Sequence, residues 1–234
     1  MKKAFTMLEL IFVIVIVGIL SFIAASSFQR NTLREAADQV VSHIRYTQHL
    51  AMMDDKFDPN ENDWYKRRWQ IVFYPNITHT LKCVNDNLPN AWAYSIFSEN
   101  PGFTGNPDIS ELARNPLATN QFLSGGFNNI LCIDNSQNNP NEHSMEELRL
   151  GSKFGITNIG MTASCNTGGP NPSQRIAFDY LGRPLRGAFH NYTSSYPANR
   201  LIVQDCNITL SNATNNIVIT ITPETGYTYI SSQN

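Results

Sequence analysis

The chain begins MKKAFTMLELIFVIVIVGILSFIAASS, residues 1–27, and this segment constrains how the rest of the molecule can be arranged. Residues 4–25 are apolar or small except at four positions, which are Thr6, Glu9, Gly18 and Ser21. A helix of about 20 apolar residues spans a bilayer core roughly 30 Å thick. We therefore predict a transmembrane helix over about residues 5–27.

Glu9 is the most informative residue of this segment. A carboxylate at the centre of a membrane helix costs about 2.5–3.5 kcal/mol on insertion scales, so an acidic residue in such a span suggests a function. Cleavage of the Ala4–Phe5 bond would free an α-amino group on Phe5, with a reference pKa of about 7.7–8.0. Glu9 lies about one helical turn further on. We predict that the Phe5 amine of one chain pairs with Glu9 of its neighbour and sets their register.

The N-terminal pattern resembles that of the type IV pilin-like proteins, which include pilins and the pseudopilins of type II secretion. Their signature is a short basic leader, a small residue, and Phe-Thr-Leu-Leu-Glu at the start of a hydrophobic helix; this chain has Lys2-Lys3-Ala4-Phe5-Thr6-Met7-Leu8-Glu9. The resemblance implies a leader at residues 1–4, cleavage between Ala4 and Phe5 by a prepilin peptidase, and N-methylation of Phe5. Ala4 replaces the usual Gly, and Ser26 occupies a position where many members have Pro.

Two other interpretations of the N-terminus are open. A secretory signal peptide also has a basic start, an apolar region and a small-residue cleavage site. Ile23-Ala24-Ala25-Ser26 fits such a site, although Glu9 is unusual at the start of the apolar region of a signal peptide. A plain membrane anchor on an unrelated domain is the second alternative. Neither accounts for the helical pattern that follows.

A second helical pattern follows the apolar segment. Residues of one face recur at steps of three and four positions, as in an amphipathic helix. They are Leu33, Ala37, Val40, Ile44, Thr47 and Ala51. The predicted polar face carries Arg30, Arg34, Glu35, Asp38, Gln39, His43, Arg45 and Gln48. Because no Pro occurs before Pro59, we predict one helix over residues 5–54, roughly 75 Å long, with a membrane half and an amphipathic half.

Residues 55–234 predict an antiparallel, β-rich globular head. Short runs of β-branched and aromatic residues separated by turn residues are typical of strands. These runs are 69–74, 91–97, 129–133, 175–180, 200–203 and 217–222. The sequence Pro223-Glu224-Thr225-Gly226 predicts a hairpin turn into residues 227–230. Segments 99–127 and 135–173, rich in Asn, Pro and Gly, predict long surface loops. The predicted fold class is α+β, with the long helix packed on the head.

Two segments of the head are similar to the H-type minor pseudopilins and related minor pilins. Residues 176–184 look like their strand, Gly-turn and Arg-Pro segment, and residues 219–227 look like their final hairpin. Together with the N-terminal motif, this resemblance implies a structural minor subunit of a type II secretion pseudopilus or a type IV pilus. It also implies a single-pass protein of the bacterial inner membrane with its head in the periplasm. The implied partners are other pilin or pseudopilin subunits, the prepilin peptidase, the inner-membrane assembly platform and the lipid bilayer.

The chain contains four cysteines and no Cys-x-x-Cys motif. This spacing argues against a compact zinc site and against thioredoxin chemistry. In an exported protein an even number of cysteines favours disulfides. Of the three connectivities we predict Cys83–Cys132 and Cys165–Cys206, because each closes a long segment rich in loops. Four free, buried cysteines are the alternative.

No catalytic or cofactor motif is found. The sequence lacks His-Glu-x-x-His, Gly-x-Ser-x-Gly and a phosphate-binding Gly-x-x-x-x-Gly-Lys, and its five histidines have no metal-ligand spacing. The net charge of −2 indicates no particular partner. We predict a non-enzymatic protein with no cofactor or metal.

One basic and aromatic stretch favours an alternative function. Residues 64–69 read Trp-Tyr-Lys-Arg-Arg-Trp and combine basic with aromatic side chains, as do proteins that hold single-stranded DNA by charge and base stacking. The candidate DNA contacts are Lys66, Arg67, Arg68 and Trp69. In a strand, however, Arg67 would point away from Lys66 and Arg68, so an ordinary edge strand is the simpler interpretation. The alternative to a structural subunit is therefore a pilin-type binding module that presents a head for adhesion or DNA uptake.

Overall fold

The computed structural model describes residues 7–27, 31–75, 92–126, 143–166 and 174–233, with side chains of the first helix described from Met7 to Ser21. Contacts divide the chain into two compact units, Met1–Thr32 and Leu33–Asn234. Helix α1 (Met7–Ser27) belongs to the first unit. Helix α2 (Thr32–Met53) lies almost entirely in the second, together with all the described β-structure.

The single helix predicted over residues 5–54 is two helices in the described part of the chain. Asn31 belongs to neither α1 nor α2. Asn is favoured just before a helix because its side chain can accept a hydrogen bond from a free N–H of the first turn. Asn31 is therefore a helix-start signal that the spacing of apolar residues does not reveal. No helix in the described ranges is both long enough and apolar enough to cross a membrane.

The described head contains eleven strands and a few short helices. The strands are β1 (Gln70–Pro75), β2 (Trp92–Phe97), β3 (Arg114–Asn115), β4 (Ala118–Phe122), β5 (His143–Ser144), β6 (Asn158–Met161), β7 (Arg175–Phe178), β8 (Pro184–Arg186), β9 (Cys206–Ser211), β10 (Asn216–Ile221) and β11 (Thr228–Gln233). A one-turn helix α3 spans Leu150–Phe154, and 3-10 helices span Trp64–Arg67, Ile109–Glu111, Glu146–Leu148 and Phe189–Asn191.

These strands form two larger antiparallel sheets and one small sheet. The first sheet has the order β2-β1-β7-β8 and the second has the order β11-β10-β9-β6, with antiparallel neighbours throughout. The small sheet β3-β4-β5 contains one parallel pair, β4 with β5. The predicted α+β class with antiparallel sheets is therefore confirmed.

Most of the predicted strands are present where they can be checked. The runs at 69–74, 91–97, 175–180 and 217–222 correspond to β1, β2, β7 and β10. The predicted hairpin turn is also present, with the Thr222 N–H donating to the carbonyl of Tyr227 at 2.9 Å and Gly226 at a φ of 64°. The run at 200–203 is not a strand, since Leu201 makes only an isolated bridge with Leu185. The run at 129–133 lies outside the described residues.

The two predicted surface loops are wrong in their described parts. Residues 99–126 include β3, β4 and a 3-10 helix, and residues 143–166 include β5, α3 and β6. Leu123, Leu148 and Leu150 are completely buried. Elements of two to five residues are too short to show the hydrophobic period of a helix or a strand. The surrounding Asn, Pro and Gly residues therefore make these segments resemble loops in the sequence.

Helix α2 forms one side of the main core. All six residues of the predicted apolar face are buried, and so are Ala36 and Val41. All of them except Thr47 join a continuous hydrophobic cluster with residues of both large sheets, among them Ile71, Phe73, Ile208 and Ile219. Burial of each large aliphatic side chain stabilises the fold by about 1.5–3 kcal/mol. The amphipathic half of the predicted helix is therefore the element on which the two sheets meet.

The disulfide between Cys165 and Cys206 is present, with a Cα–Cα distance of 4.9 Å. Cys206 begins β9 and Cys165 follows β6, which is the neighbour of β9 in the second sheet. The predicted pairing of these two cysteines is confirmed. Cys83 and Cys132, with their predicted pairing, lie outside the described residues.

Candidate assembly site

Between Met7 and Ser21, helix α1 has apolar side chains on all sides, with Glu9 as the one charged exception. Its twelve large apolar side chains between Met7 and Leu20 are each 47% to 82% exposed. They occupy successive positions, as in the run from Leu10 to Val17, rather than one stripe. A helix that is hydrophobic all round is normally covered by other protein or by lipid. Since each such side chain gains about 1.5–3 kcal/mol on burial, this surface is a candidate site for assembly.

Glu9 is the only charged residue of α1 and lies in its first turn. A carboxylate at this position complements the partial positive charge of the helix N-terminus. Ala4 and Phe5, the residues of the predicted cleavage site, lie outside the described residues. The pairing of Glu9 with a neighbouring Phe5 amine therefore stays a prediction.

Polar contacts at the middle of α2 attach it to the head. Gln39 Nε2 donates hydrogen bonds to Tyr94 Oη and to the carbonyl of Glu147, both at 2.8 Å. His43 Nδ1 lies 2.6 Å from Tyr94 Oη. Burial lowers the pKa of His43 to about 4 and raises the pKa of Tyr94. A neutral His43 can therefore accept from the Tyr94 hydroxyl, whose oxygen accepts in turn from Gln39.

A second set of contacts lies at the C-terminal end of α2. Gln48 Nε2 donates to the carbonyl of Gly182 at 2.8 Å and to that of Thr225 at 2.7 Å. One carbonyl belongs to the turn after β7 and the other to the turn between β10 and β11. Gln48 therefore joins one turn from each large sheet to the helix. These turns lie within residues 176–184 and 219–227.

These contacts change the interpretation of the predicted polar face of α2. Gln39, His43 and Gln48 face the head rather than solvent. Arg45 is exposed, yet its Nε and Nη2 donate to the carbonyl of Thr228 at 3.0 and 2.6 Å. The spacing of apolar residues predicts which face of the helix is buried. It does not predict whether a polar residue beside that face contacts water or protein.

The basic and aromatic stretch does not form the predicted edge strand. Trp64–Arg67 is a 3-10 helix, and Lys66 and Arg67 pair with acidic neighbours, Asp63 at 3.1 Å and Glu61 at 2.9 Å. Arg68 is only 3% exposed. Its guanidinium lies between the rings of Trp64 and Tyr196 and donates to the carbonyl of Ser195 at 2.7 Å. Trp69 Nε1 donates to Asp54 at 2.8 Å. These side chains therefore have protein partners and share no single outward face.

Asp179 was not a candidate from the sequence, but it organises the turn after β7. Its Oδ1 accepts from the N–H groups of Leu181 and Arg183, at 3.0 and 2.9 Å. Its Oδ2 accepts from Arg183 Nε at 2.8 Å and from the Tyr196 hydroxyl at 3.0 Å. An Asp followed by a Gly three residues on is a turn signal that could have identified it. The carboxylate fixes the turn whose Gly182 carbonyl Gln48 binds.

Among the described residues, no group of three or more His, Cys, Asp or Glu side chains is placed to hold a metal ion. Comparisons with models of protein families, with curated protein sequences and with solved structures find no match to this chain.

Proposed function

We propose that this protein is a structural minor subunit of a filament of the pilin type, either a type II secretion pseudopilus or a type IV pilus. The observation that carries the proposal is the surface of α1, apolar on every side with a single carboxylate in its first turn. A helix of this composition needs an apolar environment, and a carboxylate there needs a cationic partner. An array of identical or related helices satisfies both needs.

Maturation would supply the cation. Removal of residues 1–4 by a prepilin peptidase leaves the Phe5 amine about one turn before Glu9. The amine of an incoming subunit then pairs with Glu9 of the subunit already in place. This charge pair selects one register among the many that apolar helices would tolerate, because any other register leaves a carboxylate in an apolar environment.

Before assembly, the proposed location of residues 5–27 is the bacterial inner membrane, with the head in the periplasm. The support for this location comes from the sequence, in which residues 4–25 form an apolar run about as long as a bilayer core is thick. The Cys165–Cys206 disulfide is compatible with an oxidising compartment. An inner-membrane assembly platform would then move the subunit from lipid into the filament.

The alternative of a DNA-uptake or adhesion head has less support. It relied on Lys66, Arg67, Arg68 and Trp69, whose polar groups contact the protein itself. The structural role is therefore the function that we propose.

Replacing Glu9 tests the proposal. We expect Glu9→Val to remain in the membrane fraction after alkaline extraction but to fall at least tenfold in the sheared filament fraction. Glu35→Gln, which removes a carboxylate from α2, is the matched control and should assemble normally. Incorporation of Glu9→Val at the level of the unmodified protein would overturn the assembly role.

A further inference from the structure

Two edges of the large sheets are covered by backbone of the head itself. At the edge strand β2, the Ile96 N–H donates to the carbonyl of Leu123 at 2.9 Å, within a segment that also bridges β2 at residues 112 and 124. At the edge strand β8, the Ile202 N–H donates to the carbonyl of Pro184 at 3.0 Å. An edge whose outward backbone groups are bonded in this way offers nothing to another chain.

The edge at β6 is covered by side chains. Gln174 Nε2 donates to the carbonyl of Ile159 at 3.2 Å, and Asn166 Nδ2 donates to the carbonyl of Met161 at 3.1 Å. These two carbonyls lie on the side of β6 away from β9, because the residue between them, Gly160, is paired with Thr209 and bonds toward β9. Amide side chains therefore occupy the acceptors that a further strand would need.

The edge at β11 is covered at one residue of the described chain. The Tyr227 carbonyl accepts from the Thr222 N–H at 2.9 Å and so faces β10. The next carbonyl, of Thr228, faces the other way and accepts from Arg45 Nε at 3.0 Å and Nη2 at 2.6 Å. Backbone groups of alternate residues point to opposite sides of a strand, so the N–H and the carbonyl of Ile230 also face away from β10. Within the described ranges, no residue bonds to either group.

An open groove lies beside this edge. Its volume is about 350 Å³, and it is lined by one row of α2 and by two residues of β11, which are Arg34, Asp38, Val41, Ser42, Arg45, Tyr229 and Ile230. Residues 34–45 extend about 16 Å along the helix axis, at 1.5 Å per residue. That length equals about five residues of an extended chain, at 3.3 Å per residue.

The sequence of β11 leaves its edge unprotected. Natural proteins block exposed edges with charged side chains, Pro or bulges. Residues 228–233 read Thr-Tyr-Ile-Ser-Ser-Gln and contain neither a charge nor Pro. One bulge is present, since the pairing with β10 shifts between Val218 and Ile219, just beyond Ile230. The bulge bends the strand there and limits pairing to a short stretch around Ile230.

The charges of the groove favour an acidic guest. Its lining contains two guanidinium groups and one carboxylate, and that carboxylate, of Asp38, lies 3.1 Å from Arg34 Nε. Arg45 is exposed and uses Nε and Nη2 on Thr228, which leaves Nη1 as a donor. A carboxylate is the acceptor that a guanidinium binds most strongly. Arg45 therefore gives the groove a net positive charge beside the open edge.

We propose that the β11 edge and this groove form a docking site for an extended, acidic segment of a partner protein, which adds to the sheet as a short strand. Ile230 donates one backbone hydrogen bond to the segment and accepts one from it. An acidic side chain of the segment binds Arg45, and an apolar one packs on Val41. In strand addition, main-chain bonds supply affinity and the neighbouring side chains supply specificity. The site lies on the head, so the proposal does not rest on the assembly of α1.

Peptide display on the full-length protein in detergent supplies the probe. From linear twelve-residue peptides of random sequence, we expect selection of peptides with Asp or Glu inside a run of β-branched residues. Replacing that acidic residue by its amide should weaken binding at least fivefold. In the complex, hydrogen exchange of the Ile230 amide, followed by NMR, should slow at least tenfold. Methylation of the paired peptide nitrogen should abolish binding.

A variant that fills the groove provides the control on location. Ser42→Trp places a large ring at an exposed position of the groove and should weaken binding of the selected peptide at least tenfold, with an unchanged unfolding temperature. His49→Trp, at an exposed position of α2 outside the groove, should bind like the unmodified protein.

Three results would overturn the proposal. The first is a selection that enriches no peptide, and the second is equal binding to Ser42→Trp and to the unmodified protein. The third is binding without slower exchange at Ile230, which would place the peptide elsewhere. Self-association of the full-length protein that Ser42→Trp abolishes, with no peptide selected, would assign the edge to a second copy of this chain instead. Each of these results can be obtained without filament assembly.

Discussion

Tyr94 Oη lies 2.6 Å from Nδ1 of His43, and this contact joins the middle of α2 to strand β2 at the edge of the apolar core. Gln39 completes the arrangement by donating to the same phenol oxygen and to the backbone of residue 147. The phenol is completely buried, so each of its polar contacts replaces water. These contacts can form in only one rotational orientation of α2 about its axis. Apolar packing alone would fix that orientation less strictly.

The His43 environment predicts a loss of stability in acid. Burial lowers the His43 pKa from 6.5 to about 4. Between pH 4 and pH 6.5, the folded protein therefore binds fewer protons at this site than the unfolded chain does. The contribution of His43 to the free energy of unfolding is therefore complete above pH 6.5 and is lost as the pH falls through 4. Between pH 7 and pH 4, we expect the free energy of unfolding of the unmodified protein to fall by about 1–3 kcal/mol more than that of His43→Gln. Urea unfolding at the two pH values measures both proteins. Parallel pH profiles for the two proteins would contradict the buried neutral imidazole.

Removing the Tyr94 hydroxyl should destabilise the head without changing its shape. Tyr94→Phe leaves Gln39 and His43 without their shared partner, at a cost of about 1–3 kcal/mol. Tyr180→Phe is the matched control, because Tyr180 is 49% exposed, and it should change stability by less than about 0.5 kcal/mol. Chemical unfolding at neutral pH measures both. Equal stabilities of the two variants would show that the interface does not depend on the hydroxyl.

The contact between two turns predicts a strong effect at Gly226. A Cβ at this position would lie 2.6 Å from the Gly182 carbonyl oxygen and 2.5 Å from Gln48 Nε2, at a φ of 64°. We expect Gly226→Ala to lower the free energy of unfolding by about 2–4 kcal/mol, through a clash added to backbone strain. Gly155 has a similar φ of 72°, and a Cβ added there would meet nothing within 4 Å, so Gly155→Ala isolates the strain. Its cost should be about 1–2 kcal/mol, and a cost as large as that of Gly226→Ala would argue against the clash.

The disulfide between Cys165 and Cys206 predicts a reductant-sensitive head. The two cysteines are 41 residues apart, and the chain-entropy model assigns a loop of this length roughly 4 kcal/mol. We expect the double variant Cys165→Ser, Cys206→Ser to unfold at a lower temperature than the unmodified protein. Reductant should shift the unmodified protein in the same direction and by more than it shifts the double variant, in which only the predicted Cys83–Cys132 bond is left to reduce. If reductant lowered the unfolding temperature of the double variant by the same amount, the effect could not be due to the Cys165–Cys206 bond.

The sequence predicted the features that repeat with a clear period. The apolar face of α2 extends over several turns, so its buried residues could be identified, and the apolar runs of β1 and β10 were equally clear. Strand β9 was missed although Cys206, Ile208 and Leu210 alternate as a half-buried strand should. The intervening Asn, Thr and Ser residues resemble the surrounding loop composition, which hid this period.

The same distinction applies to the candidate site, where some features can be predicted from the sequence and others cannot. The apolar surface of α1 and the position of Glu9 follow directly from residue order. The contacts of His43, Gln48 and Arg68 do not, because each depends on a residue distant in sequence that folding brings close. Arg68 shows this most plainly, since a basic residue beside tryptophans was predicted at an edge and is buried between two rings.

The most direct test of the proposed assembly is the mass of the N-terminal peptide of the protein extracted from its native membrane. We expect a chain that begins at Phe5, with or without one added methyl group, which places a free amine about one turn before Glu9. A chain that begins near Ser26 would contradict the proposed assembly, because removal of α1 would also remove Glu9 and the apolar surface on which assembly depends.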